Sequence, residues 1–500
     1  MRRFSGLREW WSSAATSSIA EPDSDRGRRS HCDLSERSAG RGRCRWVARS
    51  SCSGWEARTL DYTAGNPNRT DDDPLAWLSR ILWPDRGARL VADRRRGTRP
   101  IGGTVVAGGN DQHRVGFRWW AAPNPSEARI LIPATSSRAA RTAVRRYHDG
   151  FDLRRRLRSM SAEALMHVPD LAFRLLRRNV VAVSGSSSDG LLTDLMTRLS
   201  DAMGIRELHV AITLSRPKTN RKPVLQLMDQ NGACVGWAKV GWNDWTRVLL
   251  ANEADWLRRP TAPPLSTPRV DYQWAIGDSD VVIASGVLAT RWSRRRFDAP
   301  APELLRAIAD LGTRGRVPVT ETTWWHSVED VMGVAGPAEA RAVDVALSTA
   351  REIEIEIGAW HGDLTPWNMM SPAGSSVETR RGKPRPTHVI DWEFAADGVP
   401  FGFDLCHFHT QVAMELKAMT VDDALDYSAR LSPQGLARLG VDPAHQLLVY
   451  RLYLVELIRR TLRLRAAGLP VHDVQHGAAA ARRLDRGVPD LDAPIGPVSN

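Results

Sequence analysis

The sequence has no long uninterrupted apolar run. None of its 500 residues lies in a stretch that approaches the roughly 20 apolar residues of a membrane-spanning helix. The N-terminus opens with arginines but has no apolar segment followed by a small-residue cleavage site, which argues against a secretory signal peptide. Together these absences predict a cytoplasmic protein.

Cysteine is also scarce, with five residues in the chain. Cys32, Cys44 and Cys52 lie in a polar segment at spacings that fit no zinc motif. Cys234 and Cys406 each stand alone in apolar surroundings. The sequence therefore predicts neither a disulfide framework nor a zinc site.

The composition is that of a globular protein, with 42% apolar and 25% charged residues. The length exceeds what one hydrophobic core fills and suits two or three compact units. The formal charge of +12 comes partly from arginine runs at 94–96 and 154–158, which we interpret as solvated surfaces. A nucleic-acid module in residues 76–200 is the competing interpretation of this charge.

The first two hundred residues divide into two segments. Residues 1–72 are rich in Ser, Arg, Gly and Asp without a helical or strand period, and we predict a disordered tail. Residues 73–204 are predicted to form a small accessory α/β region. It would contain a strand at 129–133, with Ser136 as the N-cap of the next helix, and helices at Leu75–Leu82, Ala162–Arg178 and Leu191–Met203.

The pattern changes at Glu207 to alternating and β-branched runs, which are typical of strands. Runs at 209–214, 223–229 and 233–240 predict three adjacent antiparallel strands, the last two joined by a turn at Asn231-Gly232. An amphipathic helix, Asp244–Leu257, follows. Two more strand-like runs come next, near 272–276 and 280–288. From Pro302 onward the chain is predicted to be mostly helical, and residues 468–500 to form a C-terminal tail.

Two short segments interrupt the helical part. The first is HGDLTPWN, His361–Asn368, which we expect to follow a helix, and the second is HVID, a predicted strand that ends in Asp391. This pair resembles the catalytic and metal-binding loops of the aminoglycoside phosphotransferase and choline kinase family, over roughly half of the chain. The resemblance implies an α+β, protein-kinase-like bilobal fold. Its small antiparallel-sheet lobe would span 205–290, and its large helical lobe, with the catalytic loop, 291–467.

The resemblance also implies roles for individual residues. Phosphoryl transfer passes through a loose transition state, so the protein must align the acceptor hydroxyl and neutralise charge with metal and cations. Asp363 would be the catalytic base that accepts or orients the hydroxyl proton. Asn368, five positions later, and Asp391 would be the ligands of Mg²⁺. His361 is expected to support the loop, and Asp404 to anchor the large lobe by hydrogen bonds.

A kinase also needs a strand-borne lysine that reaches the phosphates of the nucleotide and a helix glutamate that holds it. Lys239 lies on the third predicted strand, and Glu253 follows fourteen residues later on the next helix. We predict that they form this ion pair at the nucleotide. The competing interpretation is an ordinary surface lysine and an exposed glutamate.

The chain departs from protein kinases between its first two strands. Where a Gly-rich loop is expected, it has Ser215–Pro223, a segment we call the glycine-free loop. It carries four cations: Arg216, Lys218, Arg221 and Lys222. Arg221 and Lys222 are predicted to bind phosphate; alternatively the loop is a solvated turn, or it blocks the nucleotide and makes the domain a pseudokinase.

Other polar and aromatic residues allow two interpretations. Glu393 either supports the metal indirectly or is a solvated carboxylate. The pair His407 and His409 is predicted to pack or to face solvent rather than to bind a metal. Val281–Ala289 resembles the last small-lobe strand and the hinge to the large lobe. Four tryptophans would either line the acceptor site or fill the core: Trp324, Trp325, Trp367 and Trp392.

The sequence thus predicts a Mg²⁺-dependent phosphotransferase that moves the terminal phosphate of ATP or GTP to a hydroxyl of a small alcohol or sugar. The alternative is a catalytically silent, kinase-like binding or scaffold protein. No membrane or nucleic-acid partner is expected. Arginines near the C-terminal end of the large lobe do not favour a cationic acceptor over a neutral or anionic one.

Overall fold

The computed structural model describes residues 73–83, 89–92, 105–106, 117–147, 166–167, 176, 179–184, 190–215, 217–285, 290–292, 299–348, 350–372, 386–470 and 474–487. Several predictions concern residues outside these ranges: the tail 1–72, most of the helix at 162–178, Arg216, the end of the hinge at 286–289, and residues 488–500.

The N-terminal described residues form three helices and five strands. The helices are α1 (Pro74–Leu82), α2 (Ser137–Tyr147) and α3 (Leu191–Met203), and the strands are β1 (Arg89–Ala92), β2 (Val105–Val106), β3 (Arg118–Ala122), β4 (Ile130–Pro133) and β5 (Val180–Ser184). The predicted N-cap Ser136 is confirmed, because its hydroxyl accepts a hydrogen bond from the Ala139 backbone N–H at 3.2 Å. Helix α3 ends where Gly204 adopts a φ of +64°, a conformation that suits glycine.

The next elements form a small lobe. In chain order they are β6 (Glu207–Thr213), β7 (Val224–Met228), β8 (Cys234–Gly241), α4 (Asp244–Leu257), β9 (Leu265–Ser266), β10 (Arg269–Ile276), β11 (Ser279–Ser285) and β12 (Thr290–Trp292). Five of these strands pair antiparallel in the order β6-β7-β8-β11-β10. Helix α4 has the predicted bounds, since Asn243 and Thr246 form a capping box at its start. The predicted sheet with one helix after its third strand is confirmed.

The predicted turn between β7 and β8 is present. Gly232 has a φ of +76°, which a residue with a Cβ rarely adopts. The carboxylate of Asp229 accepts hydrogen bonds from the backbone N–H groups of Asn231 at 2.9 Å and Ala233 at 2.8 Å. This side chain therefore closes the turn together with the Asn-Gly pair.

The sheet continues beyond the small lobe into the N-terminal residues. The strand order is β1-β5-β3-β4-β6-β7-β8-β11-β10, and β2 also pairs with β6. One apolar core lies against this sheet and contains Leu78 and Leu195 from the N-terminal helices together with Val210, Leu225 and Ile283 from the small lobe. The boundary predicted between residues 204 and 205 falls within this continuous sheet, and the division into accessory region and small lobe stays a prediction.

The remaining elements form a mainly helical lobe. They are α5 (Pro302–Ala309), β13 (Gly315–Pro318), α6 (Thr323–Glu329), α7 (Pro337–Leu347), β14 (Glu354–Trp360), β15 (Met369–Pro372), β16 (Thr387–Val389), β17 (Ala396–Pro400), α8 (Phe403–Gln411), α9 (Val421–Arg438), α10 (Pro443–Ala466) and α11 (Val474–Asp485). Our expectation of a helix before His361 was wrong, because that segment is β14. Its sequence EIEIGAW pairs with β13 and β17, and such alternation is typical of a strand.

A sheet lobe thus lies beside a helical lobe, and the protein has the predicted protein-kinase-like bilobal fold. The short sheets β13-β14-β17 and β12-β15-β16-β9 carry the two motif segments at the junction of the lobes. None of the helices among the described residues has the combination of length and hydropathy that a membrane span requires.

Candidate active site

The loop His361–Asn368 follows β14 and is held by buried polar contacts. His361 is fully buried; its Nδ1 accepts from the Asp363 backbone N–H at 3.1 Å, and its Nε2–H donates to the Ile390 carbonyl at 3.0 Å. Burial lowers the pKa of His361 to about 4, so the ring is neutral at pH 7. Gly362 has a φ of +80°, and a Cβ there would collide with the Phe394 carbonyl oxygen. His361 therefore has the supporting position that the sequence predicted.

Asp404 at the start of α8 anchors the same loop. Its carboxylate oxygens accept hydrogen bonds from the backbone N–H groups of His361 at 2.8 Å and Gly362 at 3.1 Å. Burial raises the pKa of Asp404 to about 7, although both hydrogen bonds oppose the shift. The predicted anchoring role of this residue is confirmed by these contacts.

Asp363 and Asn368 are in direct contact. The side-chain amide of Asn368 donates to the Asp363 carbonyl at 2.8 Å and to its carboxylate oxygen Oδ2 at 3.1 Å. The amide oxygen of Asn368 is thereby turned away from Asp363. The Asp363 side chain remains 29% exposed, so it can meet a ligand from solvent.

Asp391 lies beside this pair, in the next motif segment. The Ile390 N–H donates to the Asn368 carbonyl at 3.0 Å, which joins the two segments. We had expected the strand to end in Asp391, but β16 ends at Val389 and Asp391 lies just beyond it. The backbone of Asp391 has a φ of +72°. This left-handed conformation is uncommon for a residue other than glycine and directs the chain sharply after the strand.

Lys239 connects the sheet lobe to this segment. Its ammonium nitrogen lies 2.5 Å from Glu253 Oε1 and 2.6 Å from Asp391 Oδ1. Burial by itself lowers the pKa of Lys239, but Asp391 and Glu253 outweigh it and raise the pKa above its usual value. Burial acts to raise the pKa of Asp391, yet Lys239 and Lys222 hold it well below its usual range. The predicted contact between Lys239 and Glu253 is thus present.

The glycine-free loop is held from both lobes. Thr219 donates to the Pro470 carbonyl at 2.6 Å, and Asn220 and Lys222 both bind the carboxylate of Glu393. The guanidinium of Arg221 lies 3.8 Å from the centre of the Trp77 ring, and the Arg221 carbonyl accepts from Trp242 Nε1–H at 2.8 Å. Residues 219–222 are therefore not the solvated turn that was one alternative, whereas Pro217 and Lys218 are exposed.

Lys222 and Glu393 form a buried ion pair, with 6% and 3% of their side chains exposed. Burial lowers the pKa of Lys222 to about 8. The interpretation of Glu393 as a solvated carboxylate was wrong, because packing of the glycine-free loop removes it from water. Phosphate binding by Arg221 and Lys222 stays a prediction.

Comparison with solved structures adds a likeness in fold. No protein-family model and no curated protein matches the sequence. The apo form of a thermostable mutant of aminoglycoside phosphotransferase APH(4)-Ia is 16% identical, with a TM-score of 0.35 over 58% of this chain and 97% of that chain. The chain is similar to aminoglycoside phosphotransferases.

Two further solved structures that match the chain are also of small-molecule kinases or phosphotransferases. Spectinomycin phosphotransferase APH(9)-Ia, solved with ADP and spectinomycin, is 11% identical, with a TM-score of 0.33 over 58% of this chain and 92% of its own. An ethanolamine kinase of Plasmodium vivax is 11% identical, with a TM-score of 0.32 over 55% of this chain and 81% of that chain. At identities and TM-scores this low, the interpretation of the site rests on its own contacts.

The sequence did not lead us to expect a contact between His407 and Asp363, because we had assigned His407 to packing or to solvent. This side chain is buried, and its Nε2 lies 3.2 Å from Asp363 Oδ1. A signal was present in the sequence, since His407 stands three residues after Asp404 on the same helix and therefore on the same face. His409, by contrast, contacts Ser432 through Nδ1 at 3.3 Å and has a packing position as predicted.

Of the two interpretations of the four tryptophans, core filling holds for three. Trp324, Trp325 and Trp392 are 3%, 6% and 0% exposed, and Trp392 stacks on Trp256 with ring centres 6.2 Å apart. Trp367 is half-buried.

A different tryptophan, Trp237, is better placed to contact a ligand. It stands two residues before Lys239 on β8, so both side chains lie on one face of the sheet. The side chain of Trp237 is half-buried.

The donor set suits a hard cation bound together with phosphates. Among the described residues, no group of three or more His, Cys, Asp or Glu side chains forms a metal cluster. The Asn368 amide and the Asp391 carboxylate instead offer oxygen donors on adjoining segments, and Mg²⁺ prefers such donors and completes its shell with phosphate and water. The residues present therefore fit Mg²⁺ bound to a nucleotide.

Proposed function

We propose that this protein is a Mg²⁺-dependent phosphotransferase that moves the terminal phosphate of ATP or GTP to a hydroxyl group of a small molecule. The observation that carries the proposal is the chain of contacts from Lys239 to Asp391, through the Ile390–Asn368 backbone bond, to Asn368 and Asp363. These residues come from both lobes and meet at one place. Their types and order match the parts that phosphoryl transfer requires.

Each residue has one task in this proposal. Lys239, held by Glu253, binds the α- and β-phosphates, since a strand-borne ammonium reaches them as a point charge. Asn368 and Asp391 hold the metal. When bound, Mg²⁺ neutralises charge on the phosphate oxygens. Asp363 orients the acceptor hydroxyl and takes its proton as the oxygen attacks phosphorus.

The nucleotide base is proposed to lie against Trp237. The ring is on the Lys239 face of β8, in register with Ala284 on β11, whose side chain is a single methyl group. An aromatic face next to the phosphate-binding lysine is suited to stacking on a purine. Stacking is tolerant of base identity, which agrees with use of either ATP or GTP.

One observation favours a second candidate, the catalytically silent scaffold. Lys222 is already paired with Glu393 within the protein, and Lys239 contacts two carboxylates. Both cations are thus neutralised internally in the described structure. A protein that never binds nucleotide would retain these pairs as structural contacts.

Nucleotide binding and turnover by the full-length chain separate the two candidates. Under the phosphotransferase proposal, Mg·ATP or Mg·GTP raises the melting temperature, and ³¹P NMR with a panel of sugars and amino alcohols detects a phosphorylated product. Asp363→Asn is expected to lower turnover about 10²- to 10⁴-fold while leaving the thermal shift in place. The control is Asp422→Asn, which changes a carboxylate on α9 whose side chain is 45% exposed. Its turnover and thermal shift should match those of the wild type. Absence of both thermal shift and product would favour the scaffold.

A further inference from the structure

His407 occupies a position that the proposed roles do not use. It lies on α8, is 2% exposed, and its Nε2 is 3.2 Å from Asp363 Oδ1. On its other side, Nδ1 is 3.3 Å from the hydroxyl of Tyr453 on α10, a residue that is fully buried. A tyrosine, a histidine and the candidate base therefore form one hydrogen-bonded row.

The protonation of this row follows from its partners. A carboxylate oxygen only accepts hydrogen bonds, so the His407 Nε2 must carry the proton. Burial lowers the pKa of His407, so the ring is neutral at pH 7 and its Nδ1 has no proton. Nδ1 accepts from the Tyr453 hydroxyl, which remains protonated because burial raises the pKa of Tyr453. Tyr453 thus selects the tautomer that donates to Asp363.

The consequence concerns the orientation of Asp363. His407 binds Oδ1 and Asn368 binds Oδ2, so each carboxylate oxygen has a separate donor. An aspartate carboxylate otherwise rotates over a broad range about its last side-chain bond. Two donors on opposite oxygens fix the plane of the group while leaving its exposed edge toward solvent.

We propose that His407, oriented by Tyr453, is a positioning residue that holds the Asp363 carboxylate in the orientation in which it receives the proton of the acceptor hydroxyl. This inference rests on the proposed function of Asp363. A base must meet its proton at hydrogen-bond distance, and a small misplacement of a reacting group lowers the rate steeply. The predicted effect is therefore on turnover and not on nucleotide affinity.

His409 provides the contrast within the same helix. It is also buried, at 7% exposure, but its Nδ1 contacts the hydroxyl of Ser432 on α9 rather than the carboxylate of Asp363. Substitution of either histidine removes a buried ring from α8. Only substitution of His407 removes a donor to the candidate base.

The test compares two substitutions of His407 and one of Tyr453 with a matched control at His409. His407→Leu removes the donor and is expected to lower kcat about 10- to 100-fold with an unchanged KM for nucleotide. His407→Gln places an amide N–H near the former Nε2 and should restore most of the loss. Tyr453→Phe removes the group that selects the tautomer and should give an intermediate kcat. His409→Leu should leave kcat at the wild-type level.

Equal kcat values for His407→Leu and His409→Leu would overturn the inference, as would failure of His407→Gln to exceed His407→Leu. A readout independent of turnover is ¹⁵N NMR of the histidine rings in the full-length wild-type protein at pH 7. The His407 signals, assigned by their loss in His407→Gln, should show the Nε2–H tautomer; an Nδ1–H tautomer or a doubly protonated ring contradicts the inference. If the wild type transfers no phosphate at all, the proposed function fails, and the tautomer alone decides whether the row exists.

Discussion

Asp391 combines two features at the scale of a single residue. Its carboxylate contacts Lys239, and its backbone has a φ of +72°, a conformation that costs a residue with a Cβ about 1–2 kcal/mol. Uncommon backbone conformations of this kind persist where surrounding contacts over-determine them, and they concentrate at functional sites. Here the conformation turns the chain so that the carboxylate faces the lysine.

We predict that Asp391→Asn and Asp391→Ala both abolish turnover but differ in stability. Both remove one of the two carboxylates that contact Lys239. Asparagine tolerates the left-handed region and alanine does not, so Asp391→Ala should be less stable by about 1 kcal/mol. Chemical denaturation of the two variants measures the difference. Equal stabilities would mean that the backbone relaxes without cost.

At the scale of elements, the glycine-free loop is held by contacts to distant parts of the chain. Four consecutive residues of the loop contact three distant partners. Thr219 contacts Pro470, Arg221 lies over the ring of Trp77, and Asn220 and Lys222 both bind Glu393. A Gly-rich loop reaches phosphate through its bare backbone. This loop instead gains a fixed position through side chains, and the N-terminal helix α1 takes part in holding it.

We predict strong energetic coupling between Lys222 and Glu393. Glu393→Gln removes the carboxylate that the buried ammonium contacts and should lower the free energy of unfolding by about 3–5 kcal/mol. The double variant Lys222→Met/Glu393→Leu removes both charges and should lose much less, because neither group remains buried and unpaired. Denaturant unfolding of the single and double variants gives the coupling energy. Additive effects would contradict the prediction.

At the scale of the whole molecule, the largest sheet extends across the boundary predicted between the accessory region and the small lobe. Strand β4 pairs with β6, and Trp119 of β3 donates through Nε1–H to the Val210 carbonyl of β6 at 2.9 Å. The shared core includes Leu78, Leu192 and Leu195 on one side of the predicted boundary and Leu225 on the other. Residues before 205 therefore complete the hydrophobic core of the kinase-like small lobe.

We predict that a fragment of residues 205–487 does not fold as a stable monomer, whereas residues 73–487 do. Removal of the N-terminal part exposes the edge of β6 and an apolar face, both of which promote aggregation. Size-exclusion chromatography and thermal unfolding of the two fragments provide the measurement. A monomeric 205–487 fragment with a cooperative transition would instead support an independent accessory region.

Local signals allowed much of the fold to be predicted. The bounds of α3 and α4, the five small-lobe strands and the Ser136 cap depend on periodicity and capping within a few residues. The candidate site residues Asp363, Asn368, Asp391, Lys239 and Glu253 were identified because their spacing along the chain repeats a known motif. The strand β14 was mistaken for a helix because the surrounding helical pattern was extended across it.

The sequence by itself determined the types of residues at the site and the order of the two lobes, because both are written in short-range patterns. Only the tertiary structure decided which side chains meet across long separations: Asp363 and His407 are 44 residues apart, Lys222 and Glu393 171, and Thr219 and Pro470 251. Such contacts depend on strand register and helix packing, which the side chains of many distant segments fix together. No local pattern contains that information.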